Sequence, residues 1–428
     1  MKKILFFIVL LVSLNGMSQD TLTYMQYNLL NYGNTTSYCT EQNNNMTDKD
    51  QFISTILNYV QPDIFAVNEV GASRAVHQHL LDFAVNNNES DKYRMADFIF
   101  QASPYLVNLL FYNHEKLVLH SHVIAQSYIR DIDVYRLYYK SNDLEYGDTA
   151  FIVCVVGHLK AGNSTEDAAT RQVMALNTMT FLTGYGEQEN YILSGDFNVY
   201  TNSEAAYQTF TQYDNTDLRF SDPLDKPGSW NNNSTFAQVH TQSTHTTSNG
   251  CASTGGMDDR FDFILMSNSI KFGTRSVRYV PGSYRAVGQD GLHFNKNLLD
   301  SPTNTTVPAD VLNALYENSD HLPVMMKLSV EKTLAISEWL TTDFEQITYN
   351  NPVSSTLFID LMVKQPTSLD LKIYNLLGNE VWHQNQISIE NRHKLSLNVE
   401  SLQRGLYLIK FTDGKNQSVV KKLVVKGN

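Results

Sequence analysis

Five short segments each close an apolar run with acidic, amide or imidazole side chains: Tyr27-Asn28, Asn68-Glu69, Gly157-His158-Leu159-Lys160, Gly195-Asp196-Phe197-Asn198 and Ser319-Asp320-His321, the last lying just before the run Leu322–Val330. A sixth carboxylate, Asp262, stands inside a β-like run between Phe261 and Phe263. Hydrolysis of a phosphoester near neutral pH needs three things: a cation to neutralise phosphate charge, a carboxylate or base to orient water, and a donor to the leaving or non-bridging oxygen. These side-chain types supply all three. Glu, Asp and amide oxygens are hard ligands suited to Mg²⁺, with Mn²⁺ or Ca²⁺ as other candidates. The chain has no Cys/His spacing for zinc, no phosphate-cradling Gly-rich loop with Lys and no Gly-x-Ser-x-Gly elbow.

Taken singly, each segment has a plainer reading. Glu69 at a strand end can be a solvated carboxylate, Gly195-Asp196 a turn, Ser319-Asp320 a cap and His158 a core histidine. Asp262 is harder to dismiss, because an ionised carboxylate between two aromatic neighbours needs a partner, and a histidine is the natural one. The joint occurrence carries the expectation of a site.

The elements that must position these residues alternate between short apolar runs and helical stretches. Strands are expected at Leu22–Asn28, Ile64–Asn68, Leu106–Tyr112, Phe151–Gly157, Tyr191–Ser194, Phe261–Ser267 and Val324–Val330, and helices at Asp48–Tyr59, Ala75–Ala84 and Asp167–Thr183. Mixed elements of this length imply an α+β or α/β domain with stacked sheets. The polar stretch Asp225–Asp259 reads as a long surface loop. From Ser355 onward only β-like runs occur, separated by Gly and Asn turns, which makes a small all-β unit.

The chain opens Met1-Lys2-Lys3, followed by an apolar run to Leu14 and small polar residues to Ser18, the pattern of an export signal. Later runs are too short for a transmembrane helix. Three cysteines are too few for a disulfide framework; Cys154 reads as a buried strand residue, while Cys39 and Cys251 sit in polar loops and could pair. Residues 19–330 carry 19 Lys and Arg against 34 Asp and Glu, so broad, salt-sensitive capture of a polyanion is not expected of them. The expected organisation is a signal peptide at 1–18, a catalytic domain at 19–330, a linker at 331–350 and a β-sandwich at 351–428.

In order along residues 21–330, Tyr27-Asn28, the run Pro62 to Glu69, His158-Leu159-Lys160, Gly195 to Asn198, the run Arg260 to Leu265 and the run Ser319 to Val324 resemble the endonuclease/exonuclease/phosphatase superfamily, whose members include deoxyribonuclease I. The resemblance implies a four-layer α/β/β/α sandwich of two packed mixed sheets. It implies Glu69 as principal metal ligand with Asn28 beside it, and Asp196 as the carboxylate that orients water, with Asn198 on the phosphate. His321 would be oriented by Asp262, with Asp320 in support of metal or hydrogen bonding, and His158 would serve as second histidine. One departure is Asn68, where many members have Gln. Lys160, Arg171 and Arg260 are candidate phosphate contacts. The tail, with Asn351-Pro352-Val353-Ser354, the run Leu371 to Gly378, the run Leu402 to Tyr407 and the run Val419 to Val425, resembles the type IX secretion sorting domain. The expected protein is a monomeric, secreted or cell-surface nuclease for DNA or RNA. The alternatives are a hydrolase of a small phosphoester or phospholipid headgroup, and an inactive binding protein.

Overall fold

The computed structural model describes residues 20–87, 91–102, 105–142, 144, 149–186, 189–332, 342–375 and 378–426; the expected export signal lies outside them. The chain divides into two compact units, Met1–Ala335 and Ile336–Asn428.

In the first unit, period-two burial builds two sheets. One runs in the order Val277–Tyr279, Val324–Val330, Asp20–Tyr32, Ile64–Gly71, Leu106–Asn113, Tyr93–Met95, with Arg285–Ala286 also pairing to Val324–Val330. The other runs Leu117–Gln126, Ile132–Tyr139, Phe151–His158, Tyr191–Asp196, Asp262–Ser267, Phe220–Ser221. Along the strand Asp20–Tyr32, Leu22 and Tyr24 join Ile64, Leu110, Tyr135, Ile152, Cys154 and Ile264 in a core between the sheets. The alternate residues Met25, Tyr27 and Leu29 face outward against Ile53 and Ile56 of the helix Met46–Val60 and Val311 and Leu315 of the helix Ala309–Asn318. The second sheet's outer face buries Val153, Val155, Leu193 and Phe263 under Met174, Met179 and Leu182 of the helix Thr165–Tyr185 and Phe210 of the helix Ala205–Thr211. Each such side chain contributes about 1.5–3 kcal/mol on burial, and the three cores make four layers, α/β/β/α.

Each sheet has one parallel pair at its centre, and the two pairs bring the polar strand ends together. Asn28 stands opposite Asn68 in the first pair. His158 stands opposite Asp196 in the second, and the antiparallel neighbour sets Asp262 opposite Asp196 from the other side.

Several expectations are corrected. The helix read at Ala75–Ala84 is an α-turn, Arg74–His79, continued by a π-helix, Leu80–Val85. The strands Leu117–Gln126 and Ile132–Tyr139 and the helices Ala205–Thr211 and Ala309–Asn318 were not legible as elements. The stretch Asp225–Asp259 is not a surface loop throughout. Its residues His240, Thr241, Ser243 and Thr244 are buried, because their polar groups are satisfied internally: His240 Nε2 lies 2.9 Å from Trp230 O, Thr241 Oγ1 accepts from the backbone of Phe261 and Asp262, and Thr244 Oγ1 donates to Ser319 O. Polarity signals satisfied burial here, not exposure. Cys39 and Cys251 form a disulfide, and Cys154 is buried and free.

The second unit has a three-stranded sheet, Phe344–Tyr349, Thr356–Val363, Arg392–Asn398, and a four-stranded one, Glu380–Ile389, Thr367–Asn375, Gly405–Asp413, Ser418–Val425. Leu357, Ile359, Leu371, Ile373, Ile409, Phe411 and Leu423 form its core. The strand Phe344–Tyr349 falls in the stretch read as linker.

Candidate functional site

Glu69 sits near the end of its strand with φ +61°, a left-handed conformation that costs a non-glycine residue energy. Leu30, Asn31 and Asn198 share that backbone region, so four such residues cluster at this rim. The conformation turns Glu69 into a cradle. Its Oε1 accepts from Asn28 Nδ2 at 3.1 Å, and its Oε2 accepts from the backbone N of Asn31 at 3.0 Å. Asn28 Nδ2 also donates to Asp196 Oδ2 at 3.0 Å, so one amide links a carboxylate from each sheet. The backbone N of Leu30 donates to Asn28 Oδ1, which fixes that amide's orientation and leaves its oxygen one lone pair for an ion.

Asn68 occupies the joint between sheets. Its Oδ1 accepts from Gln26 Nε2 at 2.6 Å and from the backbone N of Asp196 at 3.0 Å, while its Nδ2 donates to Asn108 Oδ1 at 2.7 Å. The shorter amide therefore braces the base of the site across both sheets. Gly195, at φ +148°, is required by close approach: a Cβ there would stand 1.7 Å from Gly157 O.

His321 Nδ1 donates to Asp262 Oδ2 at 2.7 Å, and the buried pair fixes the ring's tautomer. The Nε2 face looks toward Asp196 Oδ2 at 3.7 Å and Asp320 Oδ1 at 4.0 Å. Burial alone would lower the pKa of His321, but the charges of Asp262 and Asp196 outweigh it and hold the ring well above its ordinary value. Gln242 Nε2 lies 2.7 Å from His321 Nε2, an arrangement that suits a neutral ring; the imidazolium donates to this amide only when the amide oxygen is turned toward it. Asp196 is pushed up by burial, with Asp262 and Glu69 adding to the rise and His321 opposing it. His158, its Nε2 3.4 Å from Asp196 Oδ2, is driven down by burial, then by the charges of Arg130 and His321. Two histidines of opposite tendency thus flank one carboxylate, a division suited to one neutral and one protonated imidazole.

Ligand atoms of Glu69, His158 and Asp196 lie within 4.8 Å of one another. Asp320 accepts from the backbone N of Ser253 through Oδ2, while its buried Oδ1 has no hydrogen-bond partner among the described residues. An orphaned carboxylate oxygen beside this cluster fits a hard divalent cation. Asn198 closes the cleft: its backbone N donates to Asp196 Oδ1 and its Nδ2 to Leu159 O. The cleft, about 350 Å³, is lined by Glu69, His158, Asp196, Asn198, Asp320 and His321 among others.

The three cations read as phosphate contacts are committed elsewhere. Arg171 is buried in a pair with Glu204 at 2.7 Å, its Nη1 donating to Lys160 O and Gly162 O, and Arg260 in one with Asp222 at 2.8 Å against the rings of Trp230 and Phe263. Lys160 pairs with Asp167 at 2.8 Å. Neither guanidinium lines the cleft, and drawing one into it would leave Glu204 or buried Asp222 without its partner. The cation that does line the cleft is Arg130, in a hairpin with no sequence signal beyond its charge. It donates to Leu159 O at 2.8 Å, and among the described residues it pairs with no carboxylate. Sequence reading also missed Asn31, Gln242 and Lys49. Lys49 Nζ, buried behind the rim, donates to Leu30 O, Asn44 Oδ1 and Asn318 O, tying together the turns that carry Asn31 and Asp320. Burial pulls it down to about 7 against the opposing charges of Asp320 and Glu69.

Residues 25–321 match the family described as the endonuclease/exonuclease/phosphatase family, and residues 348–426 match the secretion system C-terminal sorting domain. No curated protein sequence matches the chain. Similar solved structures include TDP2 of D. rerio complexed with single strand DNA product (13% identity, 72% of this chain and 98% of that one, TM-score 0.44). The human Nocturnin catalytic domain with bound sulfate aligns at 16% identity over 73% and 97%, TM-score 0.44. A mannosyl-6-phosphatase of Bacteroides thetaiotaomicron aligns at 15% identity over 72% and 99%, TM-score 0.41. Among the described residues, no helix is long and apolar enough to cross a membrane.

Proposed function

The chain belongs to the endonuclease/exonuclease/phosphatase family, and from that premise we propose that it is a divalent-metal-dependent phosphodiesterase, an extracellular nuclease exported through its C-terminal sorting domain. The observation that carries the chemistry is the convergence of Glu69, Asp196 and the Asp262–His321 pair on one cleft, with Asn28 bridging the first two. Glu69, with Asp320 and the free lone pair of Asn28, would hold Mg²⁺, which neutralises phosphate charge when bound. Asp196 orients the attacking water. His321, oriented by Asp262 through Nδ1–H and protonated, also holds a proton at Nε2 against the phosphate; neutral His158 accepts or relays one beside the leaving oxygen. Asn198 and Arg130 steady the non-bridging oxygens. The sorting domain supports secretion or display at the cell surface, and residues 1–18 supply the signal for the first step of export.

Purified protein should cleave DNA or RNA with Mg²⁺ and stop with chelator. Phosphate release from monoesters with DNA and RNA left intact would replace the nuclease reading by a small-phosphoester phosphatase, which the acidic balance of residues 19–330 otherwise favours. Silence on every phosphoester would leave a binding protein.

A further inference from the structure

A second depression, about 460 Å³, adjoins the catalytic cleft and shares Asn31, Tyr38 and Arg130 with it. Its other walls include Asn34, Thr36, Tyr105 and Ile129. Tyr38 and Tyr105 are 59% and 85% exposed, an unfavourable placement for large aromatic rings that no core explains. The backbone beneath Tyr38 is nonetheless held firmly. The Tyr38 N–H donates to Thr36 Oγ1, its carbonyl accepts from Asn43 Nδ2, and the next residue, Cys39, is bound to Cys251. Asn43 Nδ2 also donates to Asn249 O, and Asn249 Nδ2 donates back to Asn43 O, so two loops far apart in sequence are stitched under one exposed ring. At Tyr105, another lining residue, the carbonyl accepts from the Ala72 N–H. The Ile129–Arg130 hairpin is tied down by Gln126 Nε2 on Arg130 O and by Asp131, whose carboxylate accepts from the backbone of Gln101 and Ala102. Rings fixed on rigid backbone and left in water are pre-organised to stack on a flat partner.

The lining discriminates between partners. No carboxylate stands among its residues, so paired acceptors for sugar hydroxyls are lacking, while asparagine amides and threonine hydroxyls match the mixed donors and acceptors of a base edge. The recess is large enough to admit a base, and a base held in a duplex cannot enter it without leaving its stack. Residues 19–330, with 19 Lys and Arg against 34 Asp and Glu, also disfavour a broad cationic grip on a double helix.

We propose that this groove is a subsite for one unpaired nucleobase attached to the scissile phosphate, with Tyr38 and Tyr105 as its stacking walls, so that the enzyme acts on single-stranded rather than duplex nucleic acid. The inference rests on the phosphodiesterase reading above. The test compares hydrolysis of a dinucleoside monophosphate with that of analogues lacking either base, using full-length protein and Mg²⁺, with bis-p-nitrophenyl phosphate run alongside. Removing the base on one side should lower kcat/KM about tenfold or more, mainly through KM, in line with measured stacking contributions. That base-dependent ratio should collapse toward one in Tyr38→Ala and Tyr105→Ala and persist in Tyr38→Phe, which keeps the ring. A single-stranded oligonucleotide should likewise be cut faster than its duplex. Hydrolysis of bis-p-nitrophenyl phosphate with a base-dependent ratio near one, or a ratio unchanged in both alanine variants, overturns the groove assignment and leaves the phosphodiesterase reading standing. Failure to hydrolyse any of these diesters overturns both.

Discussion

The two units of this chain treat polar groups differently. The first buries a connected network, Asn28, Asn68, Asp196, Asp262, Asp320 and His321, at one rim of its sheets and holds four non-glycine residues there in left-handed backbone. The second carries charged pairs at its surface, Arg392 with Asp360 and Lys372 with Glu380 on partly exposed side chains, and its buried carboxylates Asp343 and Asp413 are met by Lys415 and by backbone N–H groups. Strain and buried charge are tolerated where surrounding structure over-determines them, and their concentration in one rim of one unit marks where chemistry is placed.

That contrast can be broken by substitution, and the largest effect should come from the rim. His321→Asn keeps an amide donor for buried Asp262 but loses the imidazole Nε2, and phosphodiester hydrolysis should fall by about 10³-fold or more while the melting temperature stays near that of the parent. A fold that melts early instead would make His321 a core residue. Next, Arg260→Ala strips the partner from buried Asp222 and should destabilise the first unit by about 3–5 kcal/mol, read by denaturant unfolding. An unfolding midpoint close to the parent would return Arg260 to the candidate phosphate contacts. Arg130→Ala should lower kcat/KM on a diester by about tenfold with stability unchanged, since this guanidinium gives up only a bond to Leu159 O. Smallest of all, Arg392→Ala in the second unit should cost about 0.2–1 kcal/mol, because an exposed pair is screened by water and salt.

What the sequence revealed follows the same division. The strands bearing the rim residues were legible because continuous apolar burial on both faces leaves an unmistakable run, as in the residues 151–156 and 191–194. Asp262 between two phenylalanines called for a histidine, and the structure sets His321 Nδ1 at 2.7 Å from it. The edge strand Leu117–Gln126 and its neighbour Ile132–Tyr139 were hidden by interleaved polar residues: His122 and Asp133 pair with each other at 2.8 Å, and Arg136 pairs with Glu189. Gln242, Asn31 and Arg130 were out of reach for another reason. Each acts through a tertiary neighbour distant in sequence, and a lone amide or guanidinium in a loop carries no local pattern. The same lack of pattern made Arg171 and Arg260 look available, when Glu204 and Asp222 had already taken them.

The central claim is that Glu69 holds a divalent cation which the cleft needs for phosphodiester cleavage. Its most direct test is the rate of bis-p-nitrophenyl phosphate hydrolysis as Mg²⁺ is titrated into metal-free protein, for the parent and for Glu69→Gln, which preserves the shape of the side chain. The account predicts saturable activation by Mg²⁺ in the parent, abolished by chelator, and a rate lower by about 10³-fold in the variant at any Mg²⁺ concentration. Hydrolysis that persists in chelator, or a variant that titrates like the parent, would contradict it.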